Sequence, residues 1–468
     1  MPAAFRALIA ALVVALASLG GALYLGHERT IQGIGLFDGQ GGLATLDLQS
    51  LLDRTRNSDE ALLSTAFRKV EETYYKPVTA QLLMDGEQRE LIATLKRHQV
   101  HSPRIPAAVA NGNQRHDIAL LSRNLDIAES SYRGVVGDAE LTQAAIRGML
   151  NALGDPYTTY LSPAEISSLE ESLRGGDFGG IGVYIVQDPR TKRVIVDPIE
   201  GTPAYRAGIK PGDTILAVNG QAVRGMQLDD VEHAIRGKVG TIVTLLVLSH
   251  TGGGAHSVVV TREQIIVPSV HAKMENGFDY VRLADFGSTS YDEVRRALAS
   301  GKEQHARGYI LDLRNNGGGL LDAAVQISSL FVPQGAIVST IDRNNVRETK
   351  SATHDAMDVG PLVILVNRYT ASASEITAGA IQDYRVGTLV GTKTFGKGVV
   401  QSIYNMSDGG ALKITTARYL TPLGRDIQHR GIEPDLVVNQ SPDPSIIDSP
   451  KDLQLAAAQA YLRRIAHR

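Results

Sequence analysis

Three hydrophobic rhythms succeed one another along this chain, and no single-layer fold accommodates all of them. Residues 62–95 and 120–153 carry apolar side chains at helical spacing. Residues 176–265 run through short strand-like stretches such as GIGVYIV, RVIVDPI, DTILAVNG and TIVTLLVLS, with one helical stretch at 229–235. From residue 266, aliphatic strands at 280–283, 309–313, 362–366 and 388–390 alternate with helical segments at 292–299, 321–331 and 374–384, which is α/β organisation. Each change of rhythm asks for its own core, and at roughly 150 residues per domain the 468 residues suffice for about three. The two helical stretches align without a gap, pairing Glu71 with Glu129, Tyr74 with Tyr132, Leu83 with Leu141 and Leu95 with Leu153. A duplicated helix pair and two independent amphipathic pairs both fit. Residues 98–113 read as a loop, the Gly-rich 33–42 as a linker, 442–450 as a spacer and 451–467 as a last amphipathic helix.

Composition removes several functions. With 47 Lys plus Arg against 50 Asp plus Glu, a net charge of −3 gives no basic field for nucleic acid. The absence of Cys excludes disulfides, thiolate zinc sites, iron–sulfur clusters, thiol catalysis and a lipoprotein anchor. Residues 7–26 are uncharged and apolar, long enough to cross a bilayer as a helix. They read as a signal peptide cut near Ala15-Leu16-Ala17 or as an uncleaved anchor, and either puts the rest of the chain outside the cytoplasm, in a bacterial periplasm, free or held at the inner membrane.

The chain has no His-Glu-x-x-His, Gly-x-Ser-x-Gly or Gly-x-Gly-x-x-Gly. Residues 391–397 have the spacing of a phosphate loop, but Gly398 stands where a hydroxyl should hold magnesium and the following GVVQSIYNM is β-prone. Lys397 therefore needs another explanation. Ser372 falls at a strand-to-helix turn, where helix N–H groups can stabilise an oxyanion, although Ser372-x-x-Glu375 is also a capping box. LDLRNNGGG (311–319) is a strand that empties into three glycines able to turn their amides toward a ligand. A Ser, an isolated Lys and a glycine nest are the parts of a serine–lysine hydrolase that needs no His.

The blocks LDLRNNGGG, NRYTASASEITAGAIQD, GTKTFGKGVVQ and ITTARYLTPLGRDIQHRGIEPD resemble those of the carboxy-terminal processing (tail-specific) serine proteases, and AIRGMLNALGDPYTTYL followed by GDFGGIGV resembles that family's approach to its PDZ domain. The resemblance runs from about residue 120 to the C-terminal helix. It implies an α/β protease core (266–440) with an inserted β-rich PDZ domain (176–265), after a helical lead-in (120–175) and before the final helix (441–468); with the signal or anchor (1–26) and the N-terminal helical region (27–119) read from the residues themselves, the chain is an α/β and α+β multidomain protein. The resemblance implies Ser372 as nucleophile, Lys397 as general base, Gln401 as the residue that orients the lysine, and Gly318 and Ala373 N–H as the oxyanion hole. Asp383 matches a position whose importance varies in the family and reads as structural. No metal or cofactor is implied. Gly180, Ile181 and Gly182 would bind a peptide's terminal carboxylate while its last residues add as a strand to a sheet edge.

To act as a base near neutral pH, a lysine with an ordinary pKa of about 10.4 must fall by about 2–3 pH units, roughly 3–4 kcal/mol. Burial among the apolar Phe395, Val399 and Val400 would do this, and Gln401 could position the amine without adding charge. The partners expected are protein substrates with accessible C-terminal tails, with an adaptor protein and a homo-oligomer through the N- and C-terminal helices also provided for. The region before residue 120 reads as a docking or dimerisation arm or as a spacer. A catalytically silent PDZ scaffold is the alternative function, and a protease held latent by its PDZ domain is a third.

Overall fold

The computed structural model describes residues 34–37, 43–46, 48–173, 178–188, 191–199, 201–226, 228–265, 268–441 and 446–466. The apolar stretch 7–26 lies outside the described residues, among which no helix is long and apolar enough to cross a membrane. Residues 1–61 and 62–468 form two units. In the first, Ile34–Phe37 and Leu43–Leu46 pair antiparallel where the sequence suggested a linker.

In the second unit, helical boundaries recur at one spacing. Helices end at Thr73 and Ser131 and the next begin at Ala80 and Asp138, each pair 58 residues apart, so the two sequence copies fold as equivalent helical hairpins. Their aligned Leu63 and Leu121, and Leu83 and Leu141, are all fully buried in one core. Ala80–Arg97 and Asp138–Ala152 cross closely enough that a Cβ on Gly86 would sit 2.3 Å from the Gly148 carbonyl oxygen, so the crossing tolerates nothing larger than glycine.

The β-rich module is a sheet in spatial order Ala255–Thr261, Ile242–Leu248, Asp213–Val218, Val194–Pro198 and Val183–Gln187, the last a free edge. Alternate residues such as Val194, Val196, Val243, Leu245 and Val247 face its core against Val231 of helix Leu228–Ile235.

The remaining region has two sheets. One runs Val270–Glu275, Phe278–Leu283, Tyr309–Asp312, Leu362–Val366, Thr388–Gly391, Leu436–Val437, antiparallel at the first pair and parallel thereafter. Its central strands are buried on both faces, which is why LVILV reads as an unbroken apolar run. Leu311, Ile364 and Val366 face helices Ser290–Glu303, Leu321–Ser329 and Ala373–Tyr384, while Ile310, Val363 and Leu365 face Leu455, Ala458 and Leu462 of the C-terminal helix Leu453–Ala466. The second sheet, not anticipated as a unit, orders Arg347–Ser351, Ala336–Asp342, Ala411–Leu420 and Val399–Asn405, with Thr159–Leu161 also paired to Ala411–Leu420.

Candidate active site

Ser372 joins strand Leu362–Val366 to helix Ala373–Tyr384 with φ 57° and ψ −118°, a conformation an L-residue holds only at a cost of order 1–3 kcal/mol. The chain thus makes a strained strand-to-helix turn without the Gly-x-Ser-x-Gly sequence. Ser372 and Glu375 form a capping box, the Ser372 side chain facing the Glu375 N–H and the Glu375 side chain taking the Ser372 N–H. The serine backbone is held: Ser372 N–H donates to Glu375 Oε2 at 3.0 Å, and its carbonyl accepts the Glu375 and Ile376 N–H groups at 2.8 and 3.0 Å. The cap and nucleophile readings are compatible, since the same serine lines a cavity. The neighbouring Ala373 N–H has no acceptor among the described residues.

Gly318, at φ +106°, lies against this turn. A Cβ there would come within 2.8 Å of Ser372 Cβ and 2.9 Å of the Ala373 nitrogen. The expectation that Gly318 offers an open oxyanion amide needs correction, because its N–H donates to Asn316 Oδ1 at 2.8 Å. An Asn side chain readily folds back onto the backbone two residues ahead. Gly317 and Gly319, rather than Gly318, line the cavity in front of Ser372. Just before this loop Arg314, fully buried, donates to Asp312 Oδ2 at 2.6 Å and to both oxygens of Asp452 at 2.7 and 2.8 Å, so the residue preceding the C-terminal helix braces the glycine loop. Burial alone would raise the Asp452 carboxyl, but Arg314 outweighs it and holds that pKa below its usual range.

Lys397 arrives from the other side, on the loop between strand Thr388–Gly391 of the first sheet and Val399–Asn405 of the second. Two groups join it to the serine turn. The buried Glu375 carboxylate accepts Thr394 Oγ1 at 2.6 Å, Gly396 N–H at 2.8 Å and Lys397 N–H at 2.9 Å besides Ser372 N–H. Burial pushes its pKa up against these four donors. The buried Tyr419 hydroxyl lies 2.6 Å from the Lys397 carbonyl oxygen and 3.0 Å from that of Ser372.

A cavity of about 280 Å³ is lined by Ser372, Ala373, Lys397, Gln401 and Lys413, with Leu321 and Ile376 among its apolar walls. Burial, then repulsion from Lys413, lowers the Lys397 pKa, while Asp155 and Glu375 oppose the fall. Of the apolar flanks, Phe395 is 55% exposed, whereas Val399 is 3% exposed. Gln401 donates to Thr415 Oγ1 at 3.3 Å and makes no hydrogen bond to Lys397. Asp383 sits apart, accepting Leu423 N–H at 2.8 Å and pairing with Arg425, in keeping with a structural reading.

In the β-rich module a second cavity of about 280 Å³ lies between edge strand Val183–Gln187 and helix Leu228–Ile235, lined by Gly180, Ile181, Gly182, Ile185, Leu228 and Ile235. The N–H groups of Ile181 and Gly182 have no acceptor among the described residues.

Profiles of known families match these regions: peptidase family S41 at residues 278–438, the PDZ domain at 194–249, and the N-terminal domain of the activating protease CtpB at 97–164. A carboxyl-terminal-processing protease of Synechocystis is 41% identical over 355 residues, covering 73% of this chain and 82% of that protein. The chain belongs to the carboxyl-terminal processing proteases of peptidase family S41. Similarity extends to the carboxy-terminal processing protease CtpA of Bacillus subtilis, 36% identical over 331 residues, 70% of each chain. Among solved structures, the photosystem II D1 C-terminal processing protease aligns over 85% of this chain and 97% of its own at 30% identity, with a TM-score of 0.47. The expected fold class, an S41 protease core with a PDZ domain and N-terminal helices, describes this member of the family.

Three residues around the cavity of this S41 protease escaped the sequence reading. Glu375 and Tyr419 bridge the serine and lysine loops, and Tyr157 stacks on Lys397. In the sequence Glu375 reads as part of a helix cap, and Tyr157 and Tyr419 carry no local signal. A buried acid amid apolar residues was the available signal for Glu375, because Glu is almost never fully buried without partners.

Proposed function

We propose that this protein is an endopeptidase of the bacterial envelope that reads a substrate's C-terminal tail through its PDZ domain and cuts nearby by a Ser372–Lys397 acyl-enzyme mechanism. The observation that carries this reading is that Ser372, Lys397 and the free Ala373 amide line one cavity. The neutral Lys397 amine takes the Ser372 hydroxyl proton as Oγ attacks the scissile carbonyl carbon. The resulting oxyanion is stabilised by Ala373 N–H, at the positive end of its helix. Gly318 N–H adds to this only by exchanging Asn316 Oδ1 for the substrate oxygen. The tetrahedral species collapses with breakage of the C–N bond, and the Lys397 ammonium returns its proton to the leaving amine. Water then attacks the ester with Lys397 again as base, releasing the new carboxyl end and restoring the hydroxyl. Gln401, four residues from the base, lines the same cavity.

In the PDZ groove, the free N–H groups of Ile181 and Gly182 would take a terminal carboxylate beside Gly180, and the open edge Val183–Gln187 would add the tail as a strand. Leu228 and Ile235 favour apolar tail side chains. Residues 7–26 support export, as signal or anchor.

The test is cleavage of a protein bearing an apolar, unstructured C-terminal tail by the full chain and by Ser372→Ala and Lys397→Ala. Loss of cleavage in both is expected, and undiminished proteolysis by either refutes the assignment. Tail binding without turnover in the unsubstituted protein would favour the silent scaffold instead.

A further inference from the structure

Lys397 Nζ has an aromatic neighbour in the Tyr157 ring. It lies 4.7 Å from the centroid of the Tyr157 ring, and among the described residues it has no hydrogen bond to Ser372 Oγ or to Gln401. We propose that Tyr157 is a positioning residue for the base: its ring holds Lys397 as the ammonium, away from the nucleophile, and lets go of the neutral amine. The inference rests on the Ser372–Lys397 reading above.

An aromatic face attracts an ammonium through the ring quadrupole and has no such attraction for an uncharged amine. Loss of one proton from Lys397 to solvent therefore removes the force that keeps Nζ on the ring, and the freed lone pair can accept the Ser372 hydroxyl proton. The ring is well fixed for this task. Tyr157 N–H donates to Asp155 Oδ1 at 3.0 Å, Thr158 Oγ1 donates to Asp155 Oδ2 at 2.7 Å, and Thr415 N–H donates to Thr158 Oγ1 at 3.0 Å. The loop bearing the ring is thus pinned to strand Ala411–Leu420, which pairs with the strand that follows Lys397. Burial and three charged groups besides the ring act on the lysine charge. Burial and Lys413 favour the neutral amine, and Asp155 and Glu375 favour the ammonium. Lys413 itself lines the cavity and makes no ion pair among the described residues, so its repulsion is not cancelled locally.

Tyr157→Leu keeps the lysine covered but takes away the quadrupole. The acid limb of kcat/KM is expected to move down by about half to one and a half pH units, and a shift of one unit gives about fivefold faster cleavage one unit below the original midpoint. Tyr157→Phe keeps a ring and is expected to keep the original midpoint. A second readout does not use activity: the full-length protein, labelled with ¹³C at lysine Cε, is titrated by NMR, with the Lys397 resonance assigned by its loss in Lys397→Arg. Its midpoint should fall in Tyr157→Leu and hold in Tyr157→Phe. A Lys397 midpoint that is unmoved or raised in Tyr157→Leu overturns the proposal. If the NMR midpoint falls but the acid limb of kcat/KM stays, Tyr157 does hold the ammonium and it is the assignment of Lys397 as base that fails.

Discussion

Glu375 offers the sharpest test of how the two halves of the site are joined. One of its oxygens takes Thr394 Oγ1 and Gly396 N–H and the other takes Lys397 N–H and Ser372 N–H. Glu375→Gln keeps the shape but can present an oxygen to only one of these pairs. If its NH₂ faces Lys397 and Ser372, two buried donors lose their acceptor, at about 1–3 kcal/mol each. If the NH₂ faces Thr394, the hydroxyl can turn to accept it, since it already accepts Ile432 N–H at 2.7 Å, and the donors that lose their acceptor are Gly396 N–H and the hydroxyl's own proton. The second orientation wins because it gives the new NH₂ an acceptor, so Glu375→Gln should cost about 1–3 kcal/mol for each donor left without one while still gripping the backbone of both Ser372 and Lys397. Its kcat should stay within about tenfold of the original. Glu375→Ala releases both backbones, and a displacement of the order of 1 Å between nucleophile and base costs about 100-fold in rate. Urea unfolding on a Ser372→Ala background reads the stability, and kcat and KM on a tail-bearing substrate read the chemistry. If folded Glu375→Ala turns over at the original kcat, the carboxylate does not set the Ser372–Lys397 relation.

Three further outcomes follow from the same geometry. Gly318→Ala puts a Cβ 2.8 Å from Ser372 Cβ at a φ of +106°, so it should lose about 100-fold in kcat with KM little changed; an unchanged kcat would mean that the loop yields without moving the serine. Asp452→Ala removes a partner of the fully buried Arg314 and should cost about 3–5 kcal/mol, measurable by urea unfolding, far more than the same change at an exposed acid. Burial raises the Asp279 carboxyl to about 6, so the folded state favours its protonated form; stability is fullest below the ordinary carboxyl pKa and declines as pH rises from about 4 to about 6, by up to about 3 kcal/mol. Asp279→Asn should flatten that slope, and an identical slope in the variant would show the carboxyl to be solvated.

The parts most legible in the sequence were those whose pattern is local. Leu362–Val366 was bounded correctly because five consecutive aliphatic residues end at an Asn-Arg-Tyr-Thr turn, and the helical repeat was visible because burial on one helix face imposes its spacing. The second sheet was not legible as a unit. Its strand Arg347–Ser351 is exposed throughout, so it has no apolar alternation to read, and Val399–Asn405 belongs with Ala411–Leu420 only through pairing. Likewise Phe395 looked like cover for Lys397 by adjacency, yet the loop turns it outward.

The same distinction explains the site. Ser372 and Lys397 are 25 positions apart and reach the cavity from loops that leave the first sheet, but what fixes their relation comes from elsewhere: Glu375 on the serine's own helix, Tyr419 on the second sheet, Tyr157 on the loop between helix Asp138–Ala152 and strand Thr159–Leu161. A motif records which atoms react, because the chemistry dictates residue type. It does not record which residues hold the reacting atoms apart or together, because a carboxylate, a phenol and an aromatic face can do so from any segment the fold brings near. The protonation state of Lys397 is therefore a property of the assembled protein. Lys413 and burial push it one way and Tyr157, Asp155 and Glu375 push it the other, so substitutions at these positions should tune the pH range of cleavage without touching either proposed reacting group.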